Sequence, residues 1–421
     1  MVLLSLYANH RGEVLEHPDF YMLGRSGYHW MVPEKHEMMP LPKGASLVSI
    51  PGNIPAGLDH NDQVTGIEYD PLSPGQPISA VAALLPQGFT RTLLPACVSK
   101  DNAELPLLGY AAVGFKNGKI YVAAVQTDDH KKWHPVNYHT EGLPARINKM
   151  LKRFPENRIY RQLANCSLCY GCFTAQNIFY QRWEGGIPSM TKCNAECLGC
   201  ISESHSEVVS AQERISFIPS AEEIAQVGME HLKNARDAII SFGQGCEGEP
   251  SLNAKNLSAA VKDIRCETGQ GTININTNAG YTEGIKQLCD AGLDSMRVTL
   301  FSCNEANYIS YHRPQGYELS DVIDSIEYAR DQGVYVSLNL LAFPGFTDRE
   351  EEACALLDFI RKNRVNMIQF RNLNIDPDRL LRHVSAGGEA LGMVNLLALL
   401  QEEMPEVNLA SYSHTVKRGI S

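Results

Sequence analysis

The chain of 421 residues predicts an α/β fold: a partial (β/α)6 TIM-type barrel over about residues 187–375, preceded by a small β-rich N-terminal domain. Two observations carry this prediction. From Ile187 onward, short apolar runs alternate with helix-length amphipathic segments, a pattern that implies parallel strands joined by right-handed crossovers. Before about Arg161 the apolar runs are short and broken by Pro, Gly and Asp, the texture of strands and turns. A doubly wound open sheet is the other architecture that the alternation allows. The expected boundaries are 1–161 for the β-rich domain, 162–186 for a cysteine-rich connector, 187–375 for the barrel and 376–421 for a helical tail.

In the first segment the clearest element is a hairpin, with apolar runs Gly109–Phe115 and Ile120–Val125 on either side of Asn117-Gly118. Asn-Gly supplies the left-handed backbone that a tight hairpin turn demands. From Leu143 to Phe154, Ile147, Met150 and Leu151 share one face while Arg146, Lys149, Lys152 and Arg153 lie elsewhere, which predicts a closing helix. The histidines of this region lack ligand spacing and read as structural or surface residues.

The barrel strands are expected at 187–191, 238–243, 272–277, 296–301, 334–340 and 366–372. Ser220-x-x-Glu223 and Thr347-x-x-Glu350 have the pattern of capping boxes, in which hydroxyl and carboxylate satisfy backbone N–H groups of a first helical turn. Gly333 stands where a left-handed residue would end the helix that begins near Ser320. Leu391 to Met404 reads as an apolar helix and Val407 to Tyr412 as a last strand.

Parity within the strands separates two faces, because alternate side chains of a strand point to opposite sides. One set is Asn274, Asn276, Arg297, Thr299, Tyr335, Ser337, Asn339, Gln369 and Arg371; the other is Ile273, Ile275, Val298, Leu300, Val336, Leu338, Ile368 and Phe370. The apolar set should meet the helices. An ordinary barrel fills its lumen with branched aliphatics, so a lumen lined by the polar set suits polar ligands.

A net charge of -11 offers no global attraction for nucleic acid, although a local basic groove would still serve one. No run of about 18 apolar residues suggests a membrane span, and the first residues do not resemble a signal peptide. A cytoplasmic location and a small-molecule substrate are the expectation. Twelve cysteines in a reducing compartment argue for metal or catalytic roles over disulfides.

Six of those cysteines form two trios. Cys193-x3-Cys197-x2-Cys200 follows the first expected barrel strand, and Cys166-x2-Cys169-x2-Cys172 precedes it. Closed thiolate sites take four ligands, so the trio at 193–200 leaves an iron open, with a half-formed zinc knuckle as the plain alternative. For the other trio Cys97, the one cysteine of the N-terminal domain, is the expected fourth ligand, with a second iron–sulfur cluster favoured over structural zinc.

The C-x3-C-x2-C trio directly after a strand, together with Gly248-Glu249-Pro250 after the next one, resembles the radical S-adenosylmethionine (radical SAM) superfamily over about Ile187 to Asn374. The resemblance implies a [4Fe-4S] cluster on Cys193, Cys197 and Cys200, with SAM chelated at the open iron, and an electron donor such as flavodoxin or ferredoxin. It also implies that Gly248 and Glu249 contact the methionine end of SAM, and that Thr299, Ser337 and Asn339 hold its ribose or carboxylate. Arg297 and Arg371 suit pairing with a carboxylate, an internal salt bridge being the equal alternative. Cys246, in an extended loop before Gly248, is expected near SAM, as a thiol that relays a radical or as a buried spectator. Cys303 faces the expected active end of the barrel. Modification of tRNA or protein, and electron transfer without SAM cleavage, are the competing functions.

Overall fold

The computed structural model describes residues 2–101, 103–205 and 208–416. The chain packs as two units. One comprises Met1–His134, Leu341–Leu357 and Phe370–Pro405; the other comprises Pro135–Leu340, Asp358–Gln369 and Glu406–Ser421.

The first unit is built on antiparallel sheet. Twelve of its strands belong to one sheet, and three short ones form a second. The expected hairpin is present: Val113–Lys116 pairs antiparallel with Lys119–Gln126, and Asn117 and Gly118 take φ values of 51° and 74°. Leu6, Val81, Ala83, Val113 and Val122 fill the core on one side of this sheet. Small residues there let neighbouring strands lie close. At Gly114, for example, an added Cβ would meet the Leu3 Cβ at 3.0 Å.

The second unit opens with three helices, Leu143–Arg153, Arg158–Leu168 and Phe173–Tyr180. The first buries Leu143, Ile147 and Met150, the stripe that its sequence spacing predicts. It packs on the other two, so it belongs to the second unit, which begins after His134, and does not close the first. A seven-stranded sheet follows, its strands in chain order: Arg182–Gly186, Arg236–Phe242, Thr272–Thr277, Ser295–Leu300, Tyr335–Ala342, Met367–Asn372 and Asn408–Ala410. The pairings described for this sheet are parallel. The last residues of the fifth and sixth strands belong by their packing to the first unit.

The alternation of faces holds. Ile273, Ile275, Val298, Leu300, Val336, Leu338 and Ile368 are fully buried on one side. On the other side Asn276 stands opposite Arg297, Arg297 opposite Ser337, and Thr299 opposite Asn339. The architecture is thus a partial barrel of the TIM type.

Two expectations need correction. The first strand is Arg182–Gly186, not 187–191: Ile187 N–H makes a last ladder bond to the Ser241 carbonyl at 2.9 Å, and Pro188 has no N–H to continue it. Thr347 caps no helix, because its hydroxyl accepts from the Phe343 N–H at 2.9 Å. The last strand expected at Val407 to Tyr412 is present as Asn408–Ala410, the seventh of this sheet. Ser220 does cap the helix Ala221–Asn234, with a reciprocal box to Glu223, and Gly333 takes φ 74° after the helix Leu319–Asp331.

Candidate active site

In parallel α/β sheets, ligands sit beyond the carboxyl ends of the strands, and there the second unit gathers its chemistry. The loop after the first strand carries Cys193, Cys197 and Cys200. It is pinned by backbone bonds to the segment after the fourth strand: Leu198 N–H to the Tyr311 carbonyl at 3.0 Å, Glu196 N–H to the His312 carbonyl at 3.1 Å, and Gln315 N–H to the Asn194 carbonyl at 2.8 Å. Asn278, after the third strand, donates to the Asn194 side chain at 2.7 Å. Segments after the third and fourth strands therefore hold the loop that follows the first.

The three thiols lie within electrostatic reach of one another. Burial pushes the Cys193 thiol up to about 12, with the Glu249 carboxylate adding to the rise, and burial also raises the Cys197 thiol well above its usual value. Cationic metal would reverse that penalty, since it binds the thiolate and supplies the missing positive charge. Among the described residues no three Cys, His, Asp or Glu side chains converge as ligands of one ion. A cluster asks for something else, one cysteine per iron, and three thiols spread along a single pinned loop fit that demand.

His312 supports this loop from beneath. Its Nε2 accepts from the Phe301 N–H at 3.1 Å, and burial pushes the imidazole down to about 3. A neutral ring with an accepting Nε2 carries its proton on Nδ1, and that atom lies 3.4 Å from the Cys197 sulfur. The assigned tautomer thus donates N–H to sulfur. Arg214 approaches Cys200 with Nη2 at 3.8 Å and Ser202 with Nε at 3.1 Å. Neither His312 nor Arg214 is among the site residues expected from the sequence. Neither has a local signal, because both reach the loop through tertiary folding.

The loop after the second strand lies beside the thiols. Gly248 N–H donates to the Met190 carbonyl at 2.7 Å and Glu249 N–H to the Lys192 carbonyl at 2.8 Å. A Cβ on Gly248 would run into the Lys192 backbone, so glycine is required for this close approach. The Glu249 carboxylate is 4 % exposed. One of its oxygens accepts from the Ser251 N–H at 3.0 Å and the Thr277 hydroxyl, the other from the Asn278 N–H at 2.8 Å. That second oxygen keeps acceptor capacity for a further donor such as an ammonium group. Glu247, also buried, ties the loop together: it accepts from Gly243 N–H at 2.6 Å, Gln244 N–H at 3.0 Å, and both the N–H and hydroxyl of Ser189 at 2.7 Å.

The lumen face is a polar network. Ser241 and Gln244 donate to Glu184; Asn274 links Ser241, Asn276 and Ser295; Arg297 donates to Gln369 at 2.9 Å and Ser413 at 3.2 Å. Asn339 donates to Thr299 at 3.1 Å, and Ser337 accepts from Gln369 at 3.4 Å. Three polar atoms of this face stay buried without a partner: Asn276 Nδ2, Arg297 Nε and Asn339 Oδ1. Orphaned polar atoms inside a protein are costly and call for a ligand or water, and these combine two donors with one acceptor. Arg297 lies within charge range of Glu184, which gives its buried cation a partial counterion.

Of the remaining expected residues, Cys166, Cys169 and Cys172 flank the turn between two helices of the second unit, and Cys246 follows its second strand. Cys246 lies beside the Cys166 thiol. Cys97 lies in the first unit on the strand Cys97–Ser99, near the charges of Arg25, Asp376 and Asp378. Cys303 is half-buried in the loop after the fourth strand.

A parallel partial barrel with three thiols and a carboxylate loop at the carboxyl ends of its strands is a scaffold for a metal-centred cofactor. Residues 187–357 match the Radical SAM superfamily. A GTP 3',8-cyclase from Campylobacter lari is 27% identical over 182 residues, which are 42% of this chain and 52% of that protein. The chain therefore spans about half the length of this curated relative. Among solved structures, methylornithine synthase (PylB) is 16% identical with a TM-score of 0.37, covering 56% of this chain and 68% of its own. The FeFe-hydrogenase maturase HydG from Carboxydothermus hydrogenoformans is 17% identical with a TM-score of 0.36, covering 63% and 67%. No described helix is long and apolar enough to cross a membrane.

Proposed function

We propose that this chain is an enzyme that binds a [4Fe-4S] cluster and SAM at the carboxyl ends of its second-unit strands and acts on a small polar substrate. The observation that carries this reading is the pinned loop bearing Cys193, Cys197 and Cys200, set against the Glu249 carboxylate and above a polar lumen with unpartnered donors and acceptors. Bound there, cluster and SAM together would supply an electron to the sulfonium and a 5'-deoxyadenosyl radical able to abstract hydrogen.

The protein residues perform the rest. Cys193, Cys197 and Cys200 hold three irons, and His312 donates N–H to the Cys197 sulfur. Glu249 accepts the amino group of SAM through its spare capacity, and the missing Cβ of Gly248 lets the carboxylate loop lie against Lys192. Thr299 and Asn339, paired and only half-buried at the carboxyl ends of their strands, receive ribose hydroxyls. Ser337 and Arg297 lie deeper, where a guanidinium with a free Nε can meet a substrate carboxylate or phosphate. Val298, Leu338 and Ile368, buried on the opposite face of the sheet, anchor the strands that carry these groups and so hold them in place.

The small, polar class of substrate rests on the lumen network and on the acidic charge of the chain. The GTP named for the cyclase relative is a molecule of that class. A small ferredoxin or flavodoxin is the fitting electron donor. Anaerobic reconstitution with iron and sulfide, then SAM and dithionite, tests the reading. 5'-Deoxyadenosine and methionine should form, and Cys197→Ala should abolish both; no deoxyadenosine from the reconstituted wild type would refute it.

A further inference from the structure

Cys166, Cys169 and Cys172 present three thiols, one short of a closed thiolate site. The helix Arg158–Leu168 ends at Cys169, the chain turns through Gly171 at φ 62°, and Cys172 begins the helix Phe173–Tyr180. The turn folds back on itself, with Cys172 N–H bonded to the Cys166 carbonyl at 3.0 Å.

A fourth thiol already faces this turn. Cys246, 3 % exposed, descends from the loop after the second strand and lies beside the Cys166 thiol, with Cys172 in electrostatic range. Its loop is held from behind, where the Ile215 N–H donates to the Cys246 carbonyl at 2.9 Å. Donors of other residues converge on the same sulfurs. Gln162 Nε2 lies 3.4 Å from Cys166 Sγ and the Thr174 hydroxyl 3.2 Å from Cys172 Sγ, and the backbone N–H groups of Thr174 and Ala175 point to Cys172. A neutral thiol is a weak acceptor, so donors gathered on sulfur suit thiolates bound to metal. Cys169 is exposed at the helix end, which makes it the solvent-side member of the group.

We infer that Cys246 is the fourth ligand of a second metal site, completing Cys166, Cys169 and Cys172, and that this site holds an iron–sulfur cluster. Its ligand set stands independently of the proposed function; only the choice of iron and sulfide over zinc rests on that reading. Cys246 then has a fixed structural task and is no radical relay, while Cys97 lies in the other unit among charged groups. The loop 243–249 serves two centres, with Cys246 turned to one and Glu249 to the other. A hydrogen-bonded path joins them, since the Ser202 hydroxyl donates to the Glu247 carbonyl at 3.3 Å and lies 3.5 Å from Cys200 Sγ.

The test uses the full chain with Cys193, Cys197 and Cys200 all replaced by Ala, so that failure of the SAM-binding reading leaves it untouched. After anaerobic reconstitution this chain should hold about four iron and four sulfide. Adding Cys246→Ala should remove more than half of both and change the EPR signal of the reduced cluster, whereas adding Cys97→Ala or His139→Ala should change neither; His139 is included because its ring lies 3.2 Å from where a Gly171 Cβ would be. Should the alanine chain fail to fold by circular dichroism, Cys246→Ser in the otherwise wild-type protein is read the same way through iron count and EPR. Iron, sulfide and spectrum unchanged by loss of Cys246 would overturn the assignment, as would loss of the cluster on replacing Cys97, or one zinc per chain in place of iron and sulfide.

Discussion

Replacing His312 with Phe removes one donor from the Cys197 sulfur and one acceptor from the Phe301 N–H, two hydrogen bonds at 3.4 and 3.1 Å. A donor to a ligating sulfur stabilises the reduced, more negative cluster more than the oxidised one. With a difference of about 1 kcal/mol, in the range of a single hydrogen bond, the midpoint potential should fall by roughly 40 mV for a one-electron couple. Stability should fall as well, because the buried Phe301 N–H loses its acceptor, at about 1–3 kcal/mol. The Phe ring keeps the aromatic packing with Tyr308 and Tyr311, whose ring centroids lie 4.6 and 5.0 Å from that of His312, so the fold should persist. EPR-monitored redox titration of the reconstituted protein reads the potential, and thermal melting reads the stability. A folded His312→Phe chain whose cluster potential matches wild type would refute the assigned tautomer and its role.

Three further outcomes follow from the same geometry. Gly248→Ala should yield little folded protein, since its Cβ meets the Lys192 backbone; a normal melting curve would show that the two segments part easily. Glu249→Gln should raise the SAM concentration needed for half-maximal cleavage by at least about tenfold, the effect of about 1.4 kcal/mol, because an amide replaces a carboxylate oxygen that serves buried N–H donors; equal SAM dependence would remove Glu249 from the site. His231 is fully buried, its Nε2 2.8 Å from the Trp183 carbonyl and its Nδ1 without a partner, and burial pushes it down to about 4. Because the folded state resists a proton that the unfolded chain takes up near pH 6.5, this residue's contribution is full above pH 6.5 and is lost as pH falls toward 4, by about 3 kcal/mol. Denaturant melts of wild type and His231→Leu across that window should differ in slope accordingly; parallel curves would contradict it.

Periodicity in the sequence was enough where the local pattern and the tertiary environment agree. Thr272–Thr277 alternates Ile with Asn and Thr, and its bounds are as expected. The polar parity of four strands likewise foretold the lumen network. Disagreement arose where packing overrides propensity. Glu184-Gly185-Gly186 has little strand character, yet it forms the first strand because the glycines let Ile178 and Gln244 lie against it. The apolar stretch after it is stopped by Pro188. Thr347 has the spacing of a cap, but a backbone N–H four residues earlier takes its hydroxyl. The thiols of the first trio were legible because they sit within eight residues. Cys246 was visible as a thiol but not as a neighbour of Cys166, because eighty residues and a strand crossing separate them in the chain.

The central claim is an iron on the 193–200 loop that is open to SAM. Reduced protein lacking the second site, with Cys166 and Cys246 both replaced by Ala, isolates that iron for EPR spectroscopy. Adding SAM should shift the g values of its signal, and Glu249→Gln should weaken the concentration dependence of the shift. A signal that SAM leaves unchanged at saturating concentration would contradict the account.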